Sequence, residues 1–273
     1  IKRNYLNDHP CDVVCLHEPN FPKNEIKEIQ LIKEDIIFSE ITFDMPDYPA
    51  ETLSQIPEFY CGFSIGYRHM CRLFAGDLFN KEIVKNYKYI WRLDCDSFIL
   101  TPIKYNLFDR MASTESIYGY IAIEVDHPDV EKGLWEISEK HFRKIGKDKI
   151  FKEKQQHFCR VFYSNFEVLD VKWFQSAEYQ EYYSLIDESA GIYKYRWGDH
   201  VIRYLALNSL LEKNKLLLFH DILYRHARTY INGSPVKNTR DSGFKYLTRY
   251  EYPDKMRLGK HHDGGYVIAD GLE

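Results

Sequence analysis

Apolar and polar positions follow two different periods along this chain, and the change of period marks its elements. Asp12 to Leu16 and Ile36-Ile37-Phe38 are short apolar runs that read as strands. Between them, from Asn24 to Lys33, Ile26, Ile29, Leu31 and Ile32 recur at helical spacing among charges and predict an amphipathic helix. Asp44 to Pro57, with three prolines, reads as a loop, and Gly62 to Phe79 as a second helix. Tyr89-Ile90-Trp91-Arg92-Leu93 is mostly large, aromatic or β-branched, as a buried strand is. Ser116 to Val125 predicts another strand, Asp129 to Ile145 a surface helix, and Phe158 to Asp170 begins as a strand. Asp170 is placed to cap the next helix and Gly191 to stop it. Trp197-Gly198-Asp199 opens a further helix with Val201, Ile202, Leu205, Leu207 and Leu211 at its apolar positions, and Leu216 to Phe219 predicts a last strand. This alternation of strand and helix predicts an α/β domain with a mostly parallel central sheet flanked by helices.

From Thr229 to Arg249 glycine, serine, proline and asparagine accumulate and predict a linker. The expected organisation is a domain over residues 1–232, a linker over 233–250 and the stub of a following domain over 251–273.

Composition narrows the classes. The chain has 273 residues, 44% hydrophobic, enough for one substantial α/β domain. A net charge of −4 argues against a general nucleic-acid binder. No apolar run approaches the roughly 20 residues of a membrane span. The six cysteines are scattered without a C-x-x-C pair, which disfavours a zinc ribbon and suits reduced thiols. With no signal-peptide pattern, the expected setting is cytoplasmic, and the start at Ile1 reads as a piece of a longer polypeptide.

The chemistry concentrates where the Tyr89–Leu93 strand ends on Asp94-Cys95-Asp96. In open α/β sheets ligands bind beyond the carboxyl ends of strands. Two carboxylates one residue apart offer hard oxygen ligands to Mn²⁺ or Mg²⁺, which can hold a diphosphate; the same pair could merely cap a turn. Within the second helix Arg68 and Arg72 lie four apart on one face, where they can grip phosphates or simply face solvent.

Five blocks in this order resemble the fungal α-1,2-mannosyltransferases of glycosyltransferase family 15. They are Tyr67-Arg68-His69-Met70-Cys71-Arg72, the Tyr89–Leu93 strand with its acidic end, Ser164-Asn165-Phe166-Glu167, Arg196-Trp197-Gly198-Asp199, and His220 to His226. The resemblance implies a GT-A-type nucleotide-sugar-binding fold, a divalent cation, and retaining transfer of mannose from GDP-mannose to a sugar hydroxyl of a glycan. It implies Asp96 and His226 as metal ligands, with Asp94 holding the ribose or a metal-bound water. Glu167 becomes the nucleophile or front-face stabiliser, and Asp199 orients the acceptor hydroxyl or caps its helix. Tyr67, Arg68 and Arg72 fall on the donor side. The chain departs from the family in carrying Asp94-Cys95-Asp96 where Glu-Pro-Asp is usual, and Val161-Phe162-Tyr163 where His-Phe-Trp often stands.

Near the end, Leu258-Gly259-Lys260 with Asp263-Gly264-Gly265-Tyr266 resembles the entry to an FkbM-like sugar methyltransferase, without the usual glycine-rich cofactor turn. It implies other catalytic domains in the same parent polypeptide. Two alternatives to the mannosyltransferase stay open: another donor such as UDP-L-rhamnose, and a carbohydrate-binding module without turnover.

Overall fold

The structure, a computed structural model, describes residues 1–226, 229–231, 257–260 and 266–269. In chain order the elements used below are β1 (Val14–His17), α1 (Lys23–Ile32), β2 (Ile37–Glu40), β3 (Phe59–Tyr60), β4 (Phe63–Ser64), α2 (Ile65–Ala75), β5 (Tyr89–Leu93), β6 (Ser97–Ile99), α3 (Leu107–Ser113), β7 (Tyr118–Tyr120), β8 (Ile123–Val125), α4 (Leu134–Lys144), β9 (Arg160–Phe162), β10 (Phe166–Asp170), α5 (Ala177–Glu188), α6 (Asp199–Leu210), β11 (Leu216–Leu218), β12 (Tyr224–His226) and β13 (Thr229–Ile231). The expected α/β architecture is borne out. The expected linker and following stub lie outside the described residues, except for two strands, Arg257–Lys260 and Tyr266–Ala269, that pair with each other.

The central sheet, however, is mixed rather than mostly parallel. Its order is β11-β7-β10-β5, with β11 parallel to β7 and β10 antiparallel to both its neighbours. The reason lies in how β7 to β10 are connected. β7 and β8 are two halves of one strand, and β9 and β10 the two halves of its antiparallel partner, since β8 pairs β9 as β7 pairs β10. An antiparallel pair needs no crossover helix between its strands. Between the pairs Tyr120↔Glu167 and Ile123↔Phe162 the first strand has residues 121 and 122 and its partner has 163 to 166. The surplus forms a bulge at Tyr163-Ser164-Asn165, and bulges re-aim side chains next to sites.

Side chains alternate across β10. Phe166 and Val168 enter a core with Leu107, Met111, Phe219 and Tyr224. Leu169 enters the larger core, with Tyr118, Tyr179, Ile202 and Leu205. Glu167 shares the Leu169 face, so the period of two sends its carboxylate under the helices.

The helix ends follow their caps. Ser64 accepts from the Tyr67 N–H at the start of α2, and Ser176 from Tyr179 at the start of α5. Asp170 caps as expected, but only a single turn, Val171–Phe174. Gly191 is not the left-handed stop expected of it, for α5 ends at Glu188 and Gly191 begins a short helix. Its constraint is close approach: a Cβ there would lie 2.2 Å from the Trp197 ring.

Arg68 and Arg72 require a correction, because neither guanidinium is turned to a ligand. Arg68 is fully buried and donates to the carbonyls of Ser64, Pro57, Glu58 and Tyr193, tying α2 to the loop before it and to the segment before α6. Arg72 makes a bidentate pair with Asp187 at 2.7 and 2.8 Å and a second pair with Asp77. A shared helix face is compatible with a phosphate grip or with solvent, but the partners come from packed neighbours that spacing cannot reveal. Arg68→Met is therefore expected to lower the unfolding free energy by about 3 kcal/mol, because several buried carbonyls lose their donor. Urea denaturation measures this, and unchanged stability with lost nucleotide binding would return Arg68 to the donor.

Candidate active site

Strand β5 carries Arg92 in the middle of an apolar run, and register decides what it meets. Arg92 lies directly opposite Glu167 on β10. Its Nη1 is 3.3 Å from Glu167 Oε1 and 2.6 Å from Asp199 Oδ2, and its Nε donates to Asp94 Oδ1 at 3.2 Å. The guanidinium also lies over the Phe74 ring, 3.6 Å from its centre. One buried cation thus joins three of the expected site carboxylates. They hold Arg92 charged in spite of burial, which alone would lower its pKa.

Glu167 is fully buried and both its oxygens are engaged. Arg203 of α6 pairs with Oε1 alongside Arg92, and the Tyr118 hydroxyl donates to Oε2 at 2.8 Å. Asp199 is 2% exposed and accepts from Arg92 and from the Ser164 hydroxyl at 3.0 Å. Burial would push its carboxyl up, but Arg92, then His200 and Arg203, hold it down at about 2. It does not cap its helix: the N-cap is Gly198, with no side-chain bond.

The other end of this cluster opens to solvent. After β5 the chain turns, with the Ser97 N–H closing on the Asp94 carbonyl at 3.0 Å and the Asp94 N–H on the Asn165 carbonyl at 3.2 Å. Strand β6 follows, and its pairing with β12 sets His226 opposite Ser97, beside the turn. His226 Nε2 comes 2.9 Å from Asp96 Oδ1 and 3.7 Å from Asp94 Oδ2. Behind it, Nδ1 is 3.2 Å from both the Tyr163 hydroxyl and the Asn165 amide, so the bulge fixes the ring from the rear. Asn165 is in turn held by the Tyr224 hydroxyl at 2.8 Å. The side-chain exposure rises from 0% at Glu167 through 28% at Asp94 to 57% at Asp96.

A divalent cation fits the open end by the chemistry of its donors. Asp96 offers a hard carboxylate and His226 a pre-oriented imidazole. Among the described residues no three His, Cys, Asp or Glu side chains form a closed cage. A pair of protein ligands suits Mn²⁺ or Mg²⁺ bound together with water and phosphate oxygens.

The structure therefore brings Asp94, Asp96, Glu167, Asp199 and His226 together, and leaves Arg68 and Arg72 in the scaffold. Tyr67 stands on an adjoining wall, its hydroxyl accepting from Arg196 Nη2 at 3.0 Å, with Arg196 itself paired to Asp126 at 2.7 Å. Sequence reasoning passed over Arg92, Arg203, Tyr118 and the Tyr163-Ser164-Asn165 bulge as working parts. The signal was present for the arginines: a guanidinium inside an apolar strand or an apolar helix must have buried carboxylates waiting for it.

The family described as Glycolipid 2-alpha-mannosyltransferase matches residues 12–242. The O-glycoside alpha-1,2-mannosyltransferase homolog 2 of Schizosaccharomyces pombe is 30% identical over 171 residues, 59% of this chain and 46% of that protein. The Glycolipid 2-alpha-mannosyltransferase of Saccharomyces cerevisiae is 29% identical over 175 residues, 60% of this chain and 39% of that protein. The match thus spans less than half the length of each of these relatives. Among solved structures, S. cerevisiae Ktr4p in complex with GDP superposes with a TM-score of 0.76 at 23% identity, covering 93% of this chain and 71% of that one. The Mn/GDP form of core-mannan synthase A from Aspergillus fumigatus gives 0.75 at 20% identity, covering 90% and 74%. These two likenesses establish the fold, GT-A-type as expected. The match over residues 12–242, well over half of the chain, establishes the family: this chain belongs to the family described as Glycolipid 2-alpha-mannosyltransferase.

Proposed function

We propose that this chain transfers mannose from GDP-mannose to a hydroxyl of a glycan acceptor, with retention at the anomeric carbon and with a divalent cation. The observation that carries this reading is the charge cluster that is buried and paired at Arg92–Glu167–Asp199 and open at Asp94–Asp96–His226. Membership of a mannosyltransferase family supports the sugar, and the GDP and Mn/GDP contents of the two solved neighbours support the nucleotide and the metal.

In this reading Asp96 and His226 hold Mn²⁺ or Mg²⁺, which when bound neutralises the diphosphate and eases departure of the nucleotide. Asp94 is kept in place by Arg92 and faces the ribose or a bound water. Arg92 couples the donor end of the site to Asp199 and Glu167 at its closed end. Glu167 acts as a fixed negative charge beneath the reacting sugar rather than as an attacking group, because neither of its oxygens reaches solvent. A double displacement needs a carboxylate oxygen in contact with the anomeric carbon. Same-face attack needs only a field that favours positive charge there, and preorganised charge in a buried site supplies one. Asp199 holds Arg92 from the acceptor side.

Three outcomes test this. GDP with Mn²⁺ should raise the thermal midpoint where UDP with Mn²⁺ does not, by an amount that follows RT ln(1 + [L]/Kd), and Asp96→Asn should lose both that shift and nucleotide-sugar turnover. Full turnover by Asp96→Asn in the presence of chelator would remove the metal from the reading.

Glu167→Gln should lower the unfolding free energy by about 3 kcal/mol, since two buried guanidiniums lose a counter-charge. It should also lower kcat by about 10²–10³. A variant as stable as the parent with kcat abolished would favour an attacking carboxylate instead.

Acid sensitivity provides the third. Asp199 titrates at about 2 in the folded chain against an ordinary 3.8, so its ionised form stabilises the fold. That contribution is whole above 3.8 and is lost as pH falls through about 2. The urea midpoint of the parent should fall across this window, and that of Asp199→Asn should fall less. Equal slopes would show that the pairing contributes nothing to stability.

A further inference from the structure

Strand β8 leaves the site along the edge of the bulge. The Ala122 carbonyl accepts from the Tyr163 N–H at 3.0 Å, and the next residue, Ser164, donates to Asp199. Two residues beyond Ala122 stands Glu124, opposite the apolar Val161 of β9. The carboxylates around it all have partners. Asp126 accepts from Arg196 and lies 2.7 Å from His200 Nε2, and its other oxygen takes the His127 N–H at 2.8 Å. Glu131 accepts from the Trp135 indole at 2.6 Å, and Glu167 and Asp199 are held by arginines. Among the described residues the half-buried Glu124 carboxyl has no hydrogen-bond or ion-pair partner.

A carboxyl taken partly out of water without a partner is a cost to the free chain, and a ligand hydroxyl that donates to it recovers that cost. The position fits the acceptor. Asp126, two residues beyond Glu124 along the same strand, reaches His200, the residue after Asp199, in the first turn of α6. His200 is fixed through Nε2 by Asp126, so its ring orientation is set before anything binds. Glu124 and His200 therefore stand near the Asp199 end of the cluster.

Resting on the mannosyltransferase reading above, we propose that Glu124, with His200 held beside it by Asp126, binds a hydroxyl of the acceptor sugar and so selects and orients the acceptor. An ionised carboxylate accepts a charge-assisted bond from a sugar hydroxyl, stronger than one between neutral groups. Burial, opposed by His200 and aided by Asp126, pushes the Glu124 carboxyl up to about 7. These are the charged groups that act on it, since its β9 partner is Val161. It is ionised above about 7 and protonated below, so acceptor binding should weaken as pH falls through that value.

The test uses the whole chain with Mn²⁺, GDP-mannose and methyl α-mannoside as acceptor. Glu124→Gln should raise the acceptor KM by about tenfold, the worth of one hydrogen bond to a charged group. It should also abolish the pH dependence of acceptor kcat/KM near 7. The GDP-induced thermal shift should stay as in the parent. His200→Asn should raise the acceptor KM by a smaller factor. An unchanged acceptor KM and pH profile in a Glu124→Gln protein that still binds GDP would overturn the proposal. If the parent turns over no donor, the function proposed above fails on its own, and this inference is then decided by binding. Saturation-transfer NMR of methyl α-mannoside should show contact with the parent and a much weaker signal with Glu124→Gln; equal signals would overturn it.

Discussion

A guanidinium buried among three carboxylates is the constraint around which this chain is arranged. Arg92 sits inside the sheet, where an uncompensated cation would be untenable, so its counter-charges must arrive from three separate parts of the chain. Asp94 comes from the end of the same strand, Glu167 from the facing position of β10, and Asp199 from the first turn of α6. Arg203, one helical turn beyond Asp199, brings a second guanidinium to Glu167. The sheet register and the seating of α6 are therefore fixed by the same charges that define the site. A cluster of this kind is costly as a source of stability, and apolar packing would serve the core as well. Its value is that the charges are set before a ligand arrives, with no reorganisation left to do.

The bulge on the β9–β10 strand turns this buried cluster into a site with two ends. Without the surplus residues, Tyr163 to Asn165 would continue the ladder and face alternately up and down. With them, Ser164 reaches Asp199 while Tyr163 and Asn165 reach His226. One irregular stretch thus orients a group at the closed end and another at the open end. The negative charge not cancelled by arginine accumulates toward Asp94 and Asp96, where solvent and a cation have access. In the proposed reading that gradient gives the site a direction, with metal and diphosphate at the open carboxylates and the reacting sugar over the covered ones.

Much of this was legible in the sequence because it rests on local pattern. The strand that ends on Asp94-Cys95-Asp96, the helix after Gly198 and the cap at Asp170 all follow from residue type and spacing, and their positions agree with the structure. The ordered blocks carried Glu167, Asp199 and His226, which the fold brings together. What was not legible depends on pairing between distant segments. Whether β10 runs parallel or antiparallel is decided by the bulged strand pair β7–β8 and β9–β10, and no window of sequence contains both partners. Arginines are ambiguous for the same reason. Arg68 and Arg72 have the spacing of a phosphate grip and serve as ties between segments, whereas Arg92 and Arg203, placed in apolar runs, hold the site. Burial of the surrounding residues is a better guide to an arginine's role than its distance from the next arginine.

The depth of Glu167 bears on how the proposed retaining transfer would proceed. A carboxylate that is to form a bond must be able to give up its partners and approach carbon. Glu167 would have to release Arg92, Arg203 and Tyr118, leaving two guanidiniums and a phenol in a site closed to water. The penalty for that separation is of the same order as a substantial part of a chemical barrier. Left in place, the same carboxylate exerts its field through the low-dielectric interior at no such cost, and it is strongest when charge develops nearby. The pairing that would make Glu167 a poor nucleophile is thus what would make it, in the proposed reaction, an effective electrostatic partner for a positively charged anomeric centre. Phe74 packs against the face of Arg92 and helps to hold the compensating cation in place.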